Sequence, residues 1–145
     1  MTEWFARPVL HVSNVEASLR FYVDCLGFTV PWRVEDEDGR AHIAEVDRQG
    51  CALILSDERP ENVGTGLMFV SLNVQPETRE AEVAAVDALR AELEARGVEV
   101  KDGRWGYRVL VVGDLDGNQL FVPYPNEPQT KPEGLVILDA ERQAV

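Results

Sequence analysis

The chain has 145 residues, 45% of them hydrophobic, enough to bury one core and short for two domains of ordinary size. Its 26 acidic and 14 basic residues leave a formal net charge of −12, which repels nucleic acid and anionic membrane and attracts cations, and which serves solubility equally well. No run approaches the ~20 apolar residues of a membrane span, and Met1 to Arg7 lacks the basic start and apolar centre of a signal peptide, so a cytoplasmic protein with no membrane partner is expected.

In chain order, Pro8 to Val12 is a short apolar run. Ser13-Asn14-Val15-Glu16 then has the form of a capping box with Ser13 at the N-cap, and Val15, Leu19, Tyr22 and Leu26 follow at helical spacing as far as Gly27. From Phe28 the pattern becomes extended, with Asp38-Gly39 as a hairpin signal and Arg48-Gln49-Gly50 as a second turn before Cys51 to Ser56. Pro60 to Gly66 reads as a linker, and Leu67 to Val74 as a new strand. Thr78 is placed to cap a helix whose apolar face is Val83, Val86, Leu89 and Leu93 and which Gly97 ends. Val98 to Val100, Tyr107 to Val112 and Asn118 to Tyr124 read as strands separated by turns at Asp102-Gly103 and Asp116-Gly117. Cys25 and Cys51, among apolar neighbours, read as small buried hydrophobes rather than as a disulfide or a metal site.

The order strand, helix, three strands occurs twice. Asp47-x-x-Gly50-x-x-Leu53 matches Asp114-x-x-Gly117-x-x-Leu120 at a constant offset (114 − 47 = 117 − 50 = 120 − 53 = 67). One such unit leaves a sheet with a bare face, and two can curve their sheets around a shared cleft. The expected fold is therefore α+β, two βαβββ modules forming curved mixed sheets around a cleft with the helices outside. The expected boundaries within a single domain, 1–145, are a first repeat at about 5–57, a linker at 58–65, a second repeat at about 66–126 and a C-terminal extension at 127–145.

Pro8-Val9-Leu10-His11-Val12-Ser13-Asn14-Val15-Glu16-Ala17-Ser18-Leu19-Arg20-Phe21-Tyr22, followed by Leu26-Gly27-Phe28, resembles the opening of the glyoxalase/bleomycin-resistance/extradiol-dioxygenase (vicinal oxygen chelate) superfamily. Trp105-Gly106-Tyr107-Arg108 and then Asp114-x-Asp116-Gly117-Asn118 are similar to its closing signature. Three departures concern subfamily more than fold: Leu115 stands where Pro is common, Val109 where an acid often follows the arginine, and Lys131 to Val145 run past the usual end. The resemblance is to the bleomycin-resistance branch, and it implies a homodimer with clefts at the subunit boundary.

The same comparison places the ligand positions of the metal-dependent members at Arg7, Leu55, Leu67 and Phe121, none of which offers a lone pair to a metal. No metal and no other cofactor is expected. His11, His42 and Glu45 form the alternative set to consider, although a histidine on a strand more often serves as a hydrogen-bonded wall. Cys25 falls on an apolar helix face and no Ser sits in a nucleophile elbow, so no catalytic residue is assigned.

By resemblance Trp32 and Trp105 lie near the ligand, with Gly106 marking close approach to the backbone and Tyr107 beside it. Strand parity adds Leu53, Leu55, Leu67, Phe69 and Phe121 as an apolar floor, and Arg7, His11, Ser56, Ser71 and Gln119 as polar contacts. The acids Glu35 to Asp38 read either as a solvated hairpin tip or as an attractor of cationic ligand. The implied function is binding of a bleomycin-type or related cationic, aromatic cytotoxic compound without turnover. The alternatives are a glyoxalase-like isomerase or lyase for a small metabolite, with His11 as general base and Arg7 as oxyanion partner, and a cleft protein of the same fold with an unrelated ligand.

Overall fold

The computed structural model describes residues 1–125, 134–136 and 138, and the order strand, helix, three strands occurs in it twice. The first unit comprises β1 (Val9–His11), α1 (Val15–Arg20), β2 (Thr29–Glu35), β3 (Ala41–Arg48) and β4 (Cys51–Ser56). The second comprises β5 (Leu67–Phe69), α2 (Arg79–Ala95), β6 (Val100–Arg104), β7 (Arg108–Gly113) and β8 (Gln119–Pro123). Each builds a four-stranded mixed sheet of the same order, β1-β4-β3-β2 and β5-β8-β7-β6, with the first strand parallel to the last and the other pairs antiparallel. The fold is α+β, with two open sheets rather than a closed barrel.

The helices start and stop where short side chains permit. Asn14, not Ser13, caps α1, accepting from the Ala17 amide at 3.0 Å. Asn is as good a cap as Ser, and Glu16 turns instead to the Ala41 amide of β3 at 2.8 Å and to Arg33 of β2. The helix then widens into a π turn over Phe21–Cys25, closed by the Leu26 amide on the Phe21 carbonyl at 3.2 Å. Thr78 caps α2 through the Ala81 amide, and the helix stops at Arg96 before Gly97.

Two expectations for the second unit are corrected. The first strand is short, Leu67–Phe69, and does not reach Val74. Asp102-Gly103 is no turn but the interior of β6, and the chain reverses at Trp105-Gly106, where the Trp105 amide donates to the Tyr107 carbonyl at 2.9 Å. Gly103 is needed there for packing: a Cβ would fall 2.8 Å from Cγ2 of Val111 on the neighbouring strand.

Each sheet buries one face under its own helix. In the first, Leu10, Ala44, Val46, Leu53 and Leu55 pack with Val15, Leu19 and Tyr22; in the second, Val100, Leu110, Val112, Leu120 and Val122 pack with Val86 and Leu93. The Asp114 to Asn118 turn joins the halves. Asn118 is fully buried, donates to the His11 carbonyl at 3.0 Å and to Asp114 at 2.9 Å, and accepts from the Gly66 amide at 2.8 Å. Tyr22 donates to Asp114 at 3.0 Å; burial, then that carboxylate, push its phenol far above the ordinary range, so it remains a donor. At Gly64, where φ is +78°, a Cβ would fall 2.2 Å from the Asp116 carbonyl oxygen, so the seam admits no side chain there. Arg48 adds a two-pronged pair with Glu92 of α2, at 2.8 and 2.9 Å, and also donates to the Leu26 carbonyl. Of the C-terminal extension only 134–136 and 138 are described, so the packing of the rest lies outside the described residues.

Candidate functional site

Because cross-strand partners share a face, the register fixes what each open face carries. On the first sheet one row runs Val9, Ile54, Glu45, Trp32, and the next runs His11, Ser56, Ile43. Asp47 follows Glu45 on the same side of β3. This face is charged. Glu45 is only 7% exposed, and Arg7, from the segment preceding β1, donates to it at 3.0 Å. The Arg7 guanidinium holds the Glu45 carboxyl below the usual range, whereas burial and the adjacent Glu45 push Asp47 up. Nδ1 of His11 and Oδ1 of Asp47 are shielded from solvent without a hydrogen-bond partner.

The open face of the second sheet is aromatic. Its register aligns Phe69, Phe121 and Val111, with Leu67 and Gln119 in the next row. Phe69 meets Trp105 at 5.2 Å between ring centroids, Tyr107 edge-on at 6.2 Å and Phe121 at 6.5 Å, while Trp105 meets Phe121 at 6.0 Å. The four rings form one platform, with Trp105 58% and Leu67 48% exposed.

The residues proposed from sequence are thus divided. Arg7, His11, Ser56 and Trp32 belong to the first sheet, and Leu67, Phe69, Phe121, Gln119, Trp105 and Tyr107 to the second. No hydrogen bond or ring contact among the described residues joins the two sets. Leu55 and Leu53 are corrections: both are fully buried under α1, because Leu55 pairs with Leu10 and Ala44, and β4 turns Ile54 and Ser56 outward instead. The Ser56 hydroxyl is taken by the Glu58 amide at 3.2 Å. Ser71 lies in a groove of about 420 Å³ lined by Leu72, Glu82, Val86, Tyr124 and Leu135 and bordered by Pro123 and by Tyr107 of the platform.

His42 is not free to join His11 and Glu45. Its Nδ1 lies 3.0 Å from Asp57 and its Nε2 2.8 Å from Asp36, which raises the imidazole pKa. Asp36 also accepts from the Asp38 and Arg40 amides, so this acid of the hairpin tip builds the turn. The sequence reading does not single out Glu45 and Asp47 as a pair on one face. The available signal was the alternation of Ile43, Glu45 and Asp47 with the apolar Ala44 and Val46.

Two βαβββ units with identical strand order, each presenting one open face, define a two-module fold. The chain belongs to the Glyoxalase/Bleomycin resistance protein/Dioxygenase superfamily, whose family model matches residues 4–122. Among solved structures it is similar to TnmS3, an antibiotic binding protein from Streptomyces sp. CB03234, with 25% identity over 87% of this chain and 99% of that one and a TM-score of 0.62. It also matches the bleomycin-binding protein from bleomycin-producing Streptomyces verticillus, solved with copper(II)-bleomycin, with 23% identity over 87% of this chain and all (100%) of that one and a TM-score of 0.62. A lactoylglutathione lyase from Agrobacterium tumefaciens matches with 19% identity over 85% and 95% and a TM-score of 0.59. The last two likenesses concern the fold. No curated protein matches the chain.

The residues present do not suit the metal that the enzymes of this superfamily carry. Arg7 is an ion-paired guanidinium, Leu67 and Phe121 are hydrocarbon, and Leu55 is in the core.

Proposed function

We propose that this chain is a small-molecule binding protein that sequesters a bleomycin-type or related cationic, aromatic cytotoxic compound, giving resistance by tight binding without turnover. The observation that carries this reading is the platform of Phe69, Trp105, Tyr107 and Phe121, its largest ring more than half exposed. Such a surface stacks on planar rings and attracts cations. Leu67 and Gln119 extend it, and Trp32, Arg7 and His11 supply the facing wall when a second subunit brings its first sheet opposite. A homodimer also covers Val9, Val34 and Leu67, each 46–58% exposed in the single chain. The likeness to TnmS3 supports the same direction.

The second reading, a glyoxalase-like isomerase or lyase with His11 as base and Arg7 as oxyanion partner, draws support from the unpartnered Nδ1 of His11. The commitment of Arg7 to Glu45 counts against it. Calorimetric titration with bleomycin and phleomycin, with metal analysis of the purified protein and light scattering for mass, tests the proposal. Saturable binding by a metal-free dimer is expected; a dissociation constant weaker than millimolar, or stoichiometric metal, overturns it.

A further inference from the structure

We propose that Arg108 is a positioning residue for the aromatic platform: from behind the second sheet it fastens the β6–β7 hairpin to β8 and α2, and so holds Trp105 and Tyr107 against Phe69 and Phe121. The inference deepens the binding function proposed above and rests on it only for what the platform receives.

The two sides of the hairpin have different tasks. Its last ladder pair is Arg104 with Arg108, and beyond that pair the tip is closed by the bond from the Trp105 amide to the Tyr107 carbonyl, across Gly106 with its φ of +78°. Trp105 and Tyr107 take the side on which they meet Phe69. Alternation along the strands puts Asp102, Arg104 and Arg108 on the other side, with the core residue Leu110 and towards α2. The run Trp105-Gly106-Tyr107-Arg108 thus sets two platform rings and an anchor of opposite direction within four consecutive residues.

On the helix side Arg108 is a hub. Its Nε and Nη2 donate to Oδ1 of Asp102 at 3.2 and 3.0 Å, and its guanidinium carbon lies 4.1 Å from the centroid of the Tyr124 ring. Its backbone carbonyl accepts from the Tyr124 amide at 3.0 Å. Both partners are themselves tied to α2, for Asp102 accepts from Arg90 at 3.2 Å and the buried Tyr124 donates to Asp87 at 2.6 Å. The Asp102 carboxyl is held below its usual range by Arg108 first and Arg90 second, so it stays charged at neutral pH. A guanidinium bonds a carboxylate through its edge while its face lies on a ring, whereas an ammonium has neither the fork nor the face.

Exposure decides what these contacts are for. The Arg108 and Asp102 side chains are 52% and 53% exposed, and an ion pair so placed adds little to global stability. It can still bias the position of a hairpin tip, and a few-fold change in the fraction of molecules with the rings in place is a few-fold change in apparent affinity.

The test labels the native chain with 5-fluorotryptophan, assigns its three resonances through Trp4→Phe, Trp32→Phe and Trp105→Phe, and titrates bleomycin by calorimetry. In Arg108→Met the Trp105 resonance is expected to move toward its position in the urea-unfolded chain, with those of Trp4 and Trp32 unmoved and the urea midpoint little changed. The dissociation constant for bleomycin is expected to rise about three- to tenfold. Arg108→Lys, which keeps the charge and loses the fork, is expected to behave as Arg108→Met does. Asp102→Asn removes the same grip from the other side and is expected to move the same resonance, which keeps the test open if Arg108→Met fails to fold. Arg104→Met removes an exposed guanidinium from the same rung and sets the baseline: Trp105 stays in place, and a cationic ligand binds no more weakly, because a positive charge is lost. An unmoved Trp105 resonance in Arg108→Met and Asp102→Asn, wild-type behaviour of Arg108→Lys, or equal movement in Arg104→Met each overturns the role of Arg108. So does unchanged bleomycin affinity in a chain whose ring has moved. A moved resonance in a protein that ignores bleomycin upholds the positioning role and rejects the ligand identity alone.

Discussion

Asp47 and Asp114 hold the same place in the sequence repeat but not in the sheets: Asp47 pairs with Ala52 inside β3, whereas Asp114 follows β7 in the turn, and their surroundings are opposite. Asp114 accepts from the amides of Asp116 and Asn118, from the Asn118 side chain and from Tyr22. Asp47 faces the open side of its sheet with one oxygen unpartnered. The glycines three residues on both have positive φ, +89° at Gly50 and +97° at Gly117, and the leucines that follow, Leu53 and Leu120, are both in the core. The repeat thus preserves turn and core while the other positions diverge, the first half toward a charged open face, the second toward an aromatic face and a clasp at the seam. Folding requirements fix the first set, and ligand chemistry is free to act on the second.

The sharpest way to break this comparison is at the residue after each turn glycine. Asn118 holds three groups at the seam, whereas its counterpart Cys51 is a half-buried thiol. Asn118→Ala leaves the Gly66 amide, the His11 carbonyl and one Asp114 oxygen without that partner, and it is expected to lower the unfolding free energy by about 2–4 kcal/mol in urea titration. Cys51→Ala is expected to cost less than about 1 kcal/mol, because it removes only a small, partly exposed sulfur. Equal losses would show that the halves are not differently employed at this position.

Next in size is the difference between the faces. Trp105→Ala removes the most exposed ring of the platform and is expected to weaken bleomycin binding by about 1–3 kcal/mol, with the urea midpoint little changed. Trp32→Ala, on the charged face, is expected to weaken binding of the cation benzamidine more than that of its neutral isostere benzamide in calorimetric titration. If both substitutions affect charged and neutral probes alike, the division into a charged and an aromatic face is wrong.

Most of the architecture was legible because it rests on local chemistry: Thr78 and Gly97 at the ends of α2, Asp38-Gly39 at a hairpin, and the doubled Asp-x-x-Gly-x-x-Leu. The open faces were legible only where apolar and polar residues alternate. The run Cys51 to Ser56 has no such alternation, so it gives no parity, and Leu55 was placed on the wrong side of β4. At Asp102-Gly103 a turn signal was overridden by packing, since Gly103 makes room for Val111 and Asp102 binds Arg90 and Arg108. Gly103→Ala is accordingly expected to destabilise by about 1–2 kcal/mol in urea titration through crowding against β7, where a true turn glycine of positive φ would lose through backbone strain. Unchanged stability would mean that β7 yields without cost.

The smallest expected effect also separates the halves. His42, whose carbonyl accepts from the Asp57 amide, corresponds by register to Arg108, whose carbonyl accepts from the Tyr124 amide and whose guanidinium, bonded to Asp102, stays charged throughout the range in which a histidine titrates. His42 is bonded to Asp36 at the hairpin tip and to Asp57 after β4, and these bonds, the one to Asp36 first, raise its pKa above the ordinary value of about 6.5. The folded state therefore binds the proton more tightly than the unfolded chain does. The stabilisation is fully present below the unfolded value and is lost as pH rises through the higher folded value. The pair is solvent-exposed and screened by salt, so the effect is small, but it is confined to one half. In an NMR titration the His42 ring is expected to titrate above the ordinary histidine range, and His42→Asn is expected to remove this step from the pH profile of the urea midpoint. A His42 midpoint at the ordinary value would mean that the two aspartates do not hold the ring in solution.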